Sequence, residues 1–454
     1  MKMNFKFYIF KLIILVPISL FGKINLNDDF KSSLESLYQY NPKLKYERNI
    51  LESKDEMMPQ ALSEFRPQIR GYFEKGKVHT NSHGFNIIND GIRTESSTGI
   101  TVVQDIFDGG SSLSNISVAK NSIISQRYIL KSVEQQIFLN AIKIYADFAT
   151  EKSNFDLKKK NVEVLEGRLN LTKEQFDIGE VTLTDVSIAE ARLSLAESDF
   201  IESEKNLESI AANFFFVFGM KPMNPSINLE DLNITQDIEK MKSITLKNNP
   251  NINDLLFRVK SQEDKIKTLK RKKLPKVRLE ADASINEGYF RTDSKREVLS
   301  AFAKIDIPLY QSGAASSKIR ESKSELFALK QLLKQEKEEQ LFNLVSSKSS
   351  YDHSQSKILA YNKQIESNKI YLEGLRQEMQ LGERTMLDLL DGEQELLQSE
   401  LDKIRSQRDL FNSYFEILFF TGKLSARDLN LNVEYYDEEE NLNRVKYKWL
   451  DIIE

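Results

Sequence analysis

Two periodicities share this chain. Val162, Leu165, Leu169, Thr172, Phe176 and Gly179 follow one another at spacings of 3, 4, 3, 4 and 3. That is the heptad rhythm of a helix with one stripe set against a neighbour. Ile365, Asn368, Leu372, Leu375, Met379 and Gly382 repeat it, and a 3.5-residue period implies left-handed supercoiling. After the first glycine the pattern resumes with Val186, Ala189, Leu193, Ala196 and Phe200. Each half of the chain is thus predicted to hold a long helical hairpin, with its tip at Gly179 or Gly382. The nine prolines leave two windows free, between Pro67 and Pro222 and beyond Pro308, where nothing interrupts a helix. From Ser111 to Ile178 the single glycine is Gly167, so a rod of roughly 100 Å fits, at about 1.5 Å per residue. Helices so long and polar bury no core alone and need helical partners.

The second period is 2. Val277, Leu279, Ala281, Ala283 and Ile285 alternate with Arg278, Glu280, Asp282, Ser284 and Asn286. Leu299, Ala301, Ala303, Ile305 and Ile307 alternate with Ser300, Phe302, Lys304 and Asp306. Weaker counterparts lie near 67–78 and 97–107. Strands of about ten residues with apolar-out, polar-in alternation are the signature of a membrane β-barrel. One such strand alone fits a soluble hairpin packed on helices equally well. Four of them in two hairpins favour the barrel, with the connections 76–97 and 286–297 facing outside the cell.

The two periods are joined by a duplication. Ile178-Gly179-Glu180-Val181-Thr182-Leu183-Thr184-Asp185 returns as Leu381-Gly382-Glu383-Arg384-Thr385-Met386-Leu387-Asp388, and 382 − 179 gives an offset of 203. The same offset links Phe107-Asp108-Gly109-Gly110 to Tyr310-Gln311-Ser312-Gly313, and Phe218-Gly219 to Thr421-Gly422. Upstream, Asn41-Pro42 pairs with Asn249-Pro250 and Arg66-Pro67 with Leu274-Pro275, at an offset of 208. One unit has been built twice. The chain divides into 23–219 and 241–422, with a connecting segment at 220–240 and a C-terminal segment at 423–454.

Composition changes this picture in two places. Lys2 and Lys6 precede an apolar run from Tyr8 to Phe21, broken by Lys11 and Pro17. It reads as a secretory signal over residues 1–22, too short for a membrane span. Without Lys2, Lys6 and Lys11, 64 − 3 leaves 61 basic against 68 acidic side chains, a balance of −7. An acidic exported chain is a poor match for nucleic acid. The chain has no cysteine, which excludes disulfides, thiolate metal sites and a lipidated N-terminal Cys.

Candidate chemistry is sparse. His79 and His83 have a metal pair's i, i+4 spacing, but that converges only on a helix and they sit in a Gly/Asn loop. Lys270-Arg271-Lys272-Lys273 precedes Pro275 at an expected helix C-terminus, where cations complement the dipole. No Ser-His-Asp set, phosphate loop or acid pair suggests an enzyme, and no cofactor is expected.

Taken together, the twofold repeat, Val103-Gln104-Asp105-Ile106-Phe107-Asp108-Gly109-Gly110, Pro308-Leu309-Tyr310-Gln311-Ser312-Gly313 and the two Gly-to-Asp turns resemble the TolC-like outer-membrane efflux ducts over nearly the whole chain. The resemblance implies an α+β membrane fold: all-α coiled-coil hairpins plus a β-barrel portion. It implies a homotrimer whose twelve strands close a barrel in outer-membrane lipid and whose twelve helices continue it as a periplasmic tunnel. It also implies export of small toxic molecules or secreted proteins, as in multidrug efflux or type I secretion. The partners would be an inner-membrane transporter and a periplasmic adaptor (membrane fusion) protein. Four strands are too few to close a barrel without exposed edges, so pooling strands between chains follows independently. The rival reading is a periplasmic coiled-coil adaptor or structural protein, against which the duplicated strand pairs speak.

The turn residues Gly179, Thr182, Gly382 and Thr385 define the tips. Asp185 and Asp388 lie three residues after their threonines, which is capping-box spacing. Comparing the copies, Arg384 stands where the first has Val181, and Asp391 where it has Ile188. Asp388 and Asp391 share a helix face, and in a trimer they would stack two carboxylate rings, a cation-selective arrangement. The family carries such rings at its periplasmic entrance and ties its hairpins through an Arg–Asp contact, which maps to Arg384 and Asp185. The family can place a tyrosine before the second turn; Met379 here offers no polar link, which implies a gate held less firmly.

Overall fold

The computed structural model describes residues 27–81, 91–221, 225–230, 232–234, 236–291 and 293–449. The expected signal at 1–22, His83 and the middle of the first hairpin loop lie outside the described residues.

Each half opens with short helices: α1 (Asp28–Tyr40), α2 (Pro42–Asp55) and α3 (Met57–Ser63) in the first, α6 (Ile238–Asn248) and α7 (Pro250–Arg271) in the second. The repeated Asn-Pro is a helix start. Asn41 accepts from the Leu44 amide, and Asn249 from the amides of Asn251 and Ile252, with proline as first helical residue. An Asn cap satisfies orphan donors, and proline has no amide to orphan there. α5, in the numbering by chain order, is the return helix of the first long hairpin: α4 (Ser111–Asp177) runs out and α5 (Leu183–Phe218) runs back. α8 (Ala314–Gln380) and α9 (Met386–Phe420) do the same in the second half. α4 and α8 are each 67 residues, roughly 100 Å of rod. α10 (Glu440–Val445) closes the described chain.

β1 (Gln68–Thr80), β2 (Gly91–Phe107), β3 (Lys276–Glu287) and β4 (Lys295–Asp306) form one antiparallel sheet in the order β1-β2-β3-β4. Register runs from Gln68 opposite Val103 and Thr98 opposite Ile285 to Ala283 opposite Leu299. The apolar face is uncovered, with Leu299 87% and Ile92 73% accessible, while the polar face of β2 and β3 is partly buried. No described helix of this chain covers the apolar face, which speaks against a soluble hairpin packed on helices.

The strands reach further than the alternation of apolar residues predicts, so both connections are shorter than 76–97 and 286–297. At these ends Val78 and Ile92 fall on opposite faces among polar neighbours, Val78 opposite Arg93 and Ile92 opposite His79, so the apolar period breaks while the backbone ladder continues. Arg93 there donates to Thr80 across the strands at 2.7 Å and pairs with Glu95 along its own at 2.6 Å.

The main core lies midway along the long helices. Phe30, Tyr145, Phe214, Phe411 and Phe415 make a chain of tilted ring contacts, and Leu424, Ala426, Leu429 and Leu431 of the C-terminal segment complete it. At that level the segment wraps onto α4: Glu134 accepts from the Ala426 amide at 2.8 Å, and Arg127 pairs with Glu439 at 2.9 Å. Burial pushes the Glu134 carboxyl up to about 6.

Candidate functional site

Both hairpin turns are made by the same local chemistry. At the first, the Gly179 amide donates to Phe176 O and the Glu180 amide to Gln175 O; at the second, Gly382 donates to Met379 O and Glu383 to Glu378 O. This is a Schellman close, which demands a left-handed residue, and the two glycines sit at φ 78° and 79°. A capping box follows. The Thr182 amide and hydroxyl donate to Asp185 at 2.9 and 2.7 Å, and the Asp185 amide donates back to the Thr182 hydroxyl at 3.3 Å. Thr385 and Asp388 repeat it at 2.9, 2.7 and 3.2 Å. The Thr385 backbone and hydroxyl bonds hold the exposed Asp388 carboxyl below its ordinary value.

Behind the turns the heptad seams merge. Leu165 and Ala196 of the first hairpin and Leu372, Leu375, Met386, Leu389 and Leu390 of the second form one buried cluster, with Met379 packed at its edge. Thr172 is buried, its hydroxyl donating to Arg168 O, and buried Asn368 donates to the Ser399 hydroxyl. Phe176 departs from the expected seam and is 40% exposed, since the chain turns away within one helical turn.

The polar ties between hairpins are not formed by the expected pair within one chain. Arg384 bonds Glu378 of its own hairpin at 3.0 Å, while Asp185 is engaged in its cap. Near the tips two other ties cross instead. Arg192 on α5 pairs with Asp391 on α9 at 2.5 Å. Arg168 on α4 pairs with Glu393 on α9 at 2.8 Å, and Arg376 on α8 approaches the same carboxylate at 3.5 Å. Glu393's side chain is 8% exposed, and its Oε2 has no hydrogen-bond partner among the described residues. The cavity between the hairpins here, lined by Arg192, Ala196, Leu390 and Glu393 among others, measures about 10 Å³, room for a water at most.

Charges on long helices usually read as a solvated face, so Arg168 and Glu393 escaped notice in the sequence. The duplication held a usable clue: Lys173 and Glu190, which pair at 2.9 Å across the first hairpin, become Arg376 and Glu393 at the same offset of 203. Arg168 corresponds to Tyr371, so the third member, the one that crosses between hairpins, is unique to one copy. Among the described residues no three His, Cys, Asp or Glu side chains gather as metal ligands.

Residues 34–219 and 242–423 match the family described as outer membrane efflux protein. The chain belongs to that family. It is 26% identical over 434 residues to the outer membrane efflux protein BepC of Brucella suis biovar 1 (strain 1330), covering 95% of this chain and 93% of that one. To the outer membrane protein TolC of Salmonella enteritidis it is 22% identical, covering 92% and 87%. The fold is that of the channel CusC, with a TM-score of 0.79 at 13% identity over 87% of this chain and 92% of that one. This efflux-family chain is therefore an outer-membrane export channel whose helical part is a periplasmic duct, as the resemblance in its motifs implied. The adaptor reading is not favoured.

Proposed function

We propose that the chain works as a homotrimer, a twelve-stranded barrel continued by a twelve-helix tunnel. In this reading the tunnel carries small toxic molecules or secreted proteins from an inner-membrane transporter, through a periplasmic adaptor, to the outside. The observation that carries it is the open sheet. Among the described residues β1 and β4 are free edges, and a four-stranded lipid-exposed sheet must close on further strands, because unpaired backbone groups have no partner in hydrocarbon. Apolar side chains left uncovered along α5 and α8, among them Ile201, Phe216, Phe342 and Ile370 at 63%, 85%, 71% and 70% exposure, supply the helical seams between copies.

The tips are the gate. In the closed state Arg192 neutralises Asp391, and Arg168 and Arg376 hold Glu393. Asp388 serves as a cap and lines the entrance above them. Swinging one hairpin from the other breaks both ties together and bares Asp391 beside Asp388, so the opening mouth becomes a stack of carboxylate rings that attracts cations. The Arg384–Asp185 contact belongs in this scheme to the seam between neighbouring chains.

Single-channel conductance of the purified protein in a planar bilayer tests the reading. Small, cation-selective events that lose selectivity in Asp388→Ala/Asp391→Ala are expected. Unchanged selectivity would return both aspartates to capping and pairing, and a protein that forms no channel would refute the duct.

A further inference from the structure

The C-terminal segment climbs beyond the core and is stapled to the base of the sheet. The Arg66 guanidinium donates to the carbonyl oxygen of Lys448 at 2.8 Å and lies over the Trp449 ring at 4.7 Å. Arg66 is two residues before β1, at the end of the sheet where β1 and β3 begin and β2 and β4 end. Tyr447 and Trp449 are nonetheless 69% and 68% exposed. Other uncovered apolar groups stand at that level: Phe65 and Leu274 just before β1 and β3, and Leu309 and Tyr310 just after β4.

The charge at this level is basic. α7 delivers Lys270 to Lys273 immediately before β3, and Lys446 lies over the Tyr447 ring at 5.1 Å. The carboxylates at this level are fewer than the cations: the exposed Asp105 and Asp306 stand opposite Arg278 and Lys276 in the strand register, and two others hydrogen-bond within the fold. Asp108 accepts from the Gly110 and Ser112 amides and from the Ser111 and Ser112 hydroxyls, and Glu64 accepts from Asn115.

We infer that residues 446–449 and the Lys272–Lys273 rim form an interfacial anchor for anionic phospholipid headgroups of the leaflet at the barrel's periplasmic end. This rests on the barrel reading above. Trp and Tyr prefer the headgroup level, where the ring is shielded and the polar edge stays wet. Lysines near an anionic surface each add attraction that salt screens. Four residues are far too few to span a bilayer, so in this reading the segment lies at its surface. The anchor fixes the height of the barrel and, through Ala426 and Glu439, grips the sheet-proximal part of α4 at Glu134 and Arg127.

Trp449 is the only tryptophan in the chain, so the unlabelled trimer reports on itself. The trimer is reconstituted in phosphatidylcholine vesicles with and without phosphatidylglycerol, using lipids brominated either near the headgroup or deep in the chain. Shallow bromines are expected to quench Trp449 several-fold more than deep ones. Phosphatidylglycerol should increase the effect, and salt or Lys272→Ala/Lys273→Ala should weaken it. Arg66→Ala should lose the quenching at unchanged conductance. Conducting vesicles in which aqueous iodide quenches Trp449 freely and brominated lipid does not would overturn the anchor and leave the duct standing. A Trp449 that neither quencher reaches is buried against protein, which also overturns it. Equal quenching with and without phosphatidylglycerol overturns the anionic preference, and vesicles that never conduct remove the barrel and the anchor together.

Discussion

The Arg168–Glu393 contact gives the sharpest test of the gate. Glu393→Gln leaves the two guanidiniums without their shared carboxylate. Removing one partner of a fully buried pair costs about 3–5 kcal/mol. Arg376 is 43% exposed and can turn to water, but Arg168 is 15% exposed and held within the hairpin interface. Discounting for that escape leaves about 2–3 kcal/mol, roughly a 30- to 150-fold shift toward separated hairpins at about 1.4 kcal/mol per decade. Single-channel recordings should show longer or larger openings for Glu393→Gln and for Arg168→Tyr, which copies the residue of the other repeat. The charge reversal Arg168→Glu/Glu393→Arg should restore much of the closed population. The duplication supplies its own control. Lys173 and Glu190 are 49% and 52% exposed, so Glu190→Gln should move the same readout by less than about 1 kcal/mol. If Glu393→Gln gates like Glu190→Gln, or if the reversed pair is no better than either single variant, the contact does not hold the gate.

Three further outcomes are expected. Gly382→Ala places a Cβ at φ 79° with nothing within 4 Å, so backbone strain alone acts; a loss of about 1–2 kcal/mol should appear in thermal unfolding, and Gly382→Asn should lose less. Burial raises Glu134 from its ordinary 4.5 to about 6, so the fold takes up a proton and its stability falls as pH rises from 4.5 through 6. Glu134→Gln keeps an acceptor for the Ala426 amide and should abolish that slope, with a gain of up to about 2 kcal/mol above pH 6, read from melting temperature against pH. Asp108 is the opposite case. Burial opposes its charge, but hydrogen bonds from Ser111, Ser112 and Gly110 outweigh it and bring it from 3.8 to about 2. Its stabilisation is complete above pH 4 and is lost as pH falls through 2, and Asp108→Asn, which cannot hold the charge, should cost about 1–2 kcal/mol in thermal unfolding at neutral pH.

The sequence by itself determined the helices, the turns and the family. A heptad stripe needs only near neighbours to be read, and Gly179, Thr182 and Asp185 act within seven residues of one another, so their Schellman close and capping box were legible before any packing was known. The duplication turned one weak pair of strands into two pairs. Tertiary structure alone decided which charges meet. Arg168 and Glu393 are 225 residues apart, and no local pattern separates them from the other charges on a wet helix face. Their partnership depends on the rotation of α4 and α9 about their axes, which is set by how Leu165, Ala196, Leu375 and Leu390 pack. Asp391 was read from the copies as an acid with no counterpart, yet its contact with Arg192 is set by the same packing. Even the strand ends needed the fold, because Val78 and Ile92 sit on opposite faces among polar residues and carry no period, and the backbone ladder that joins the strands leaves no mark in the side chains.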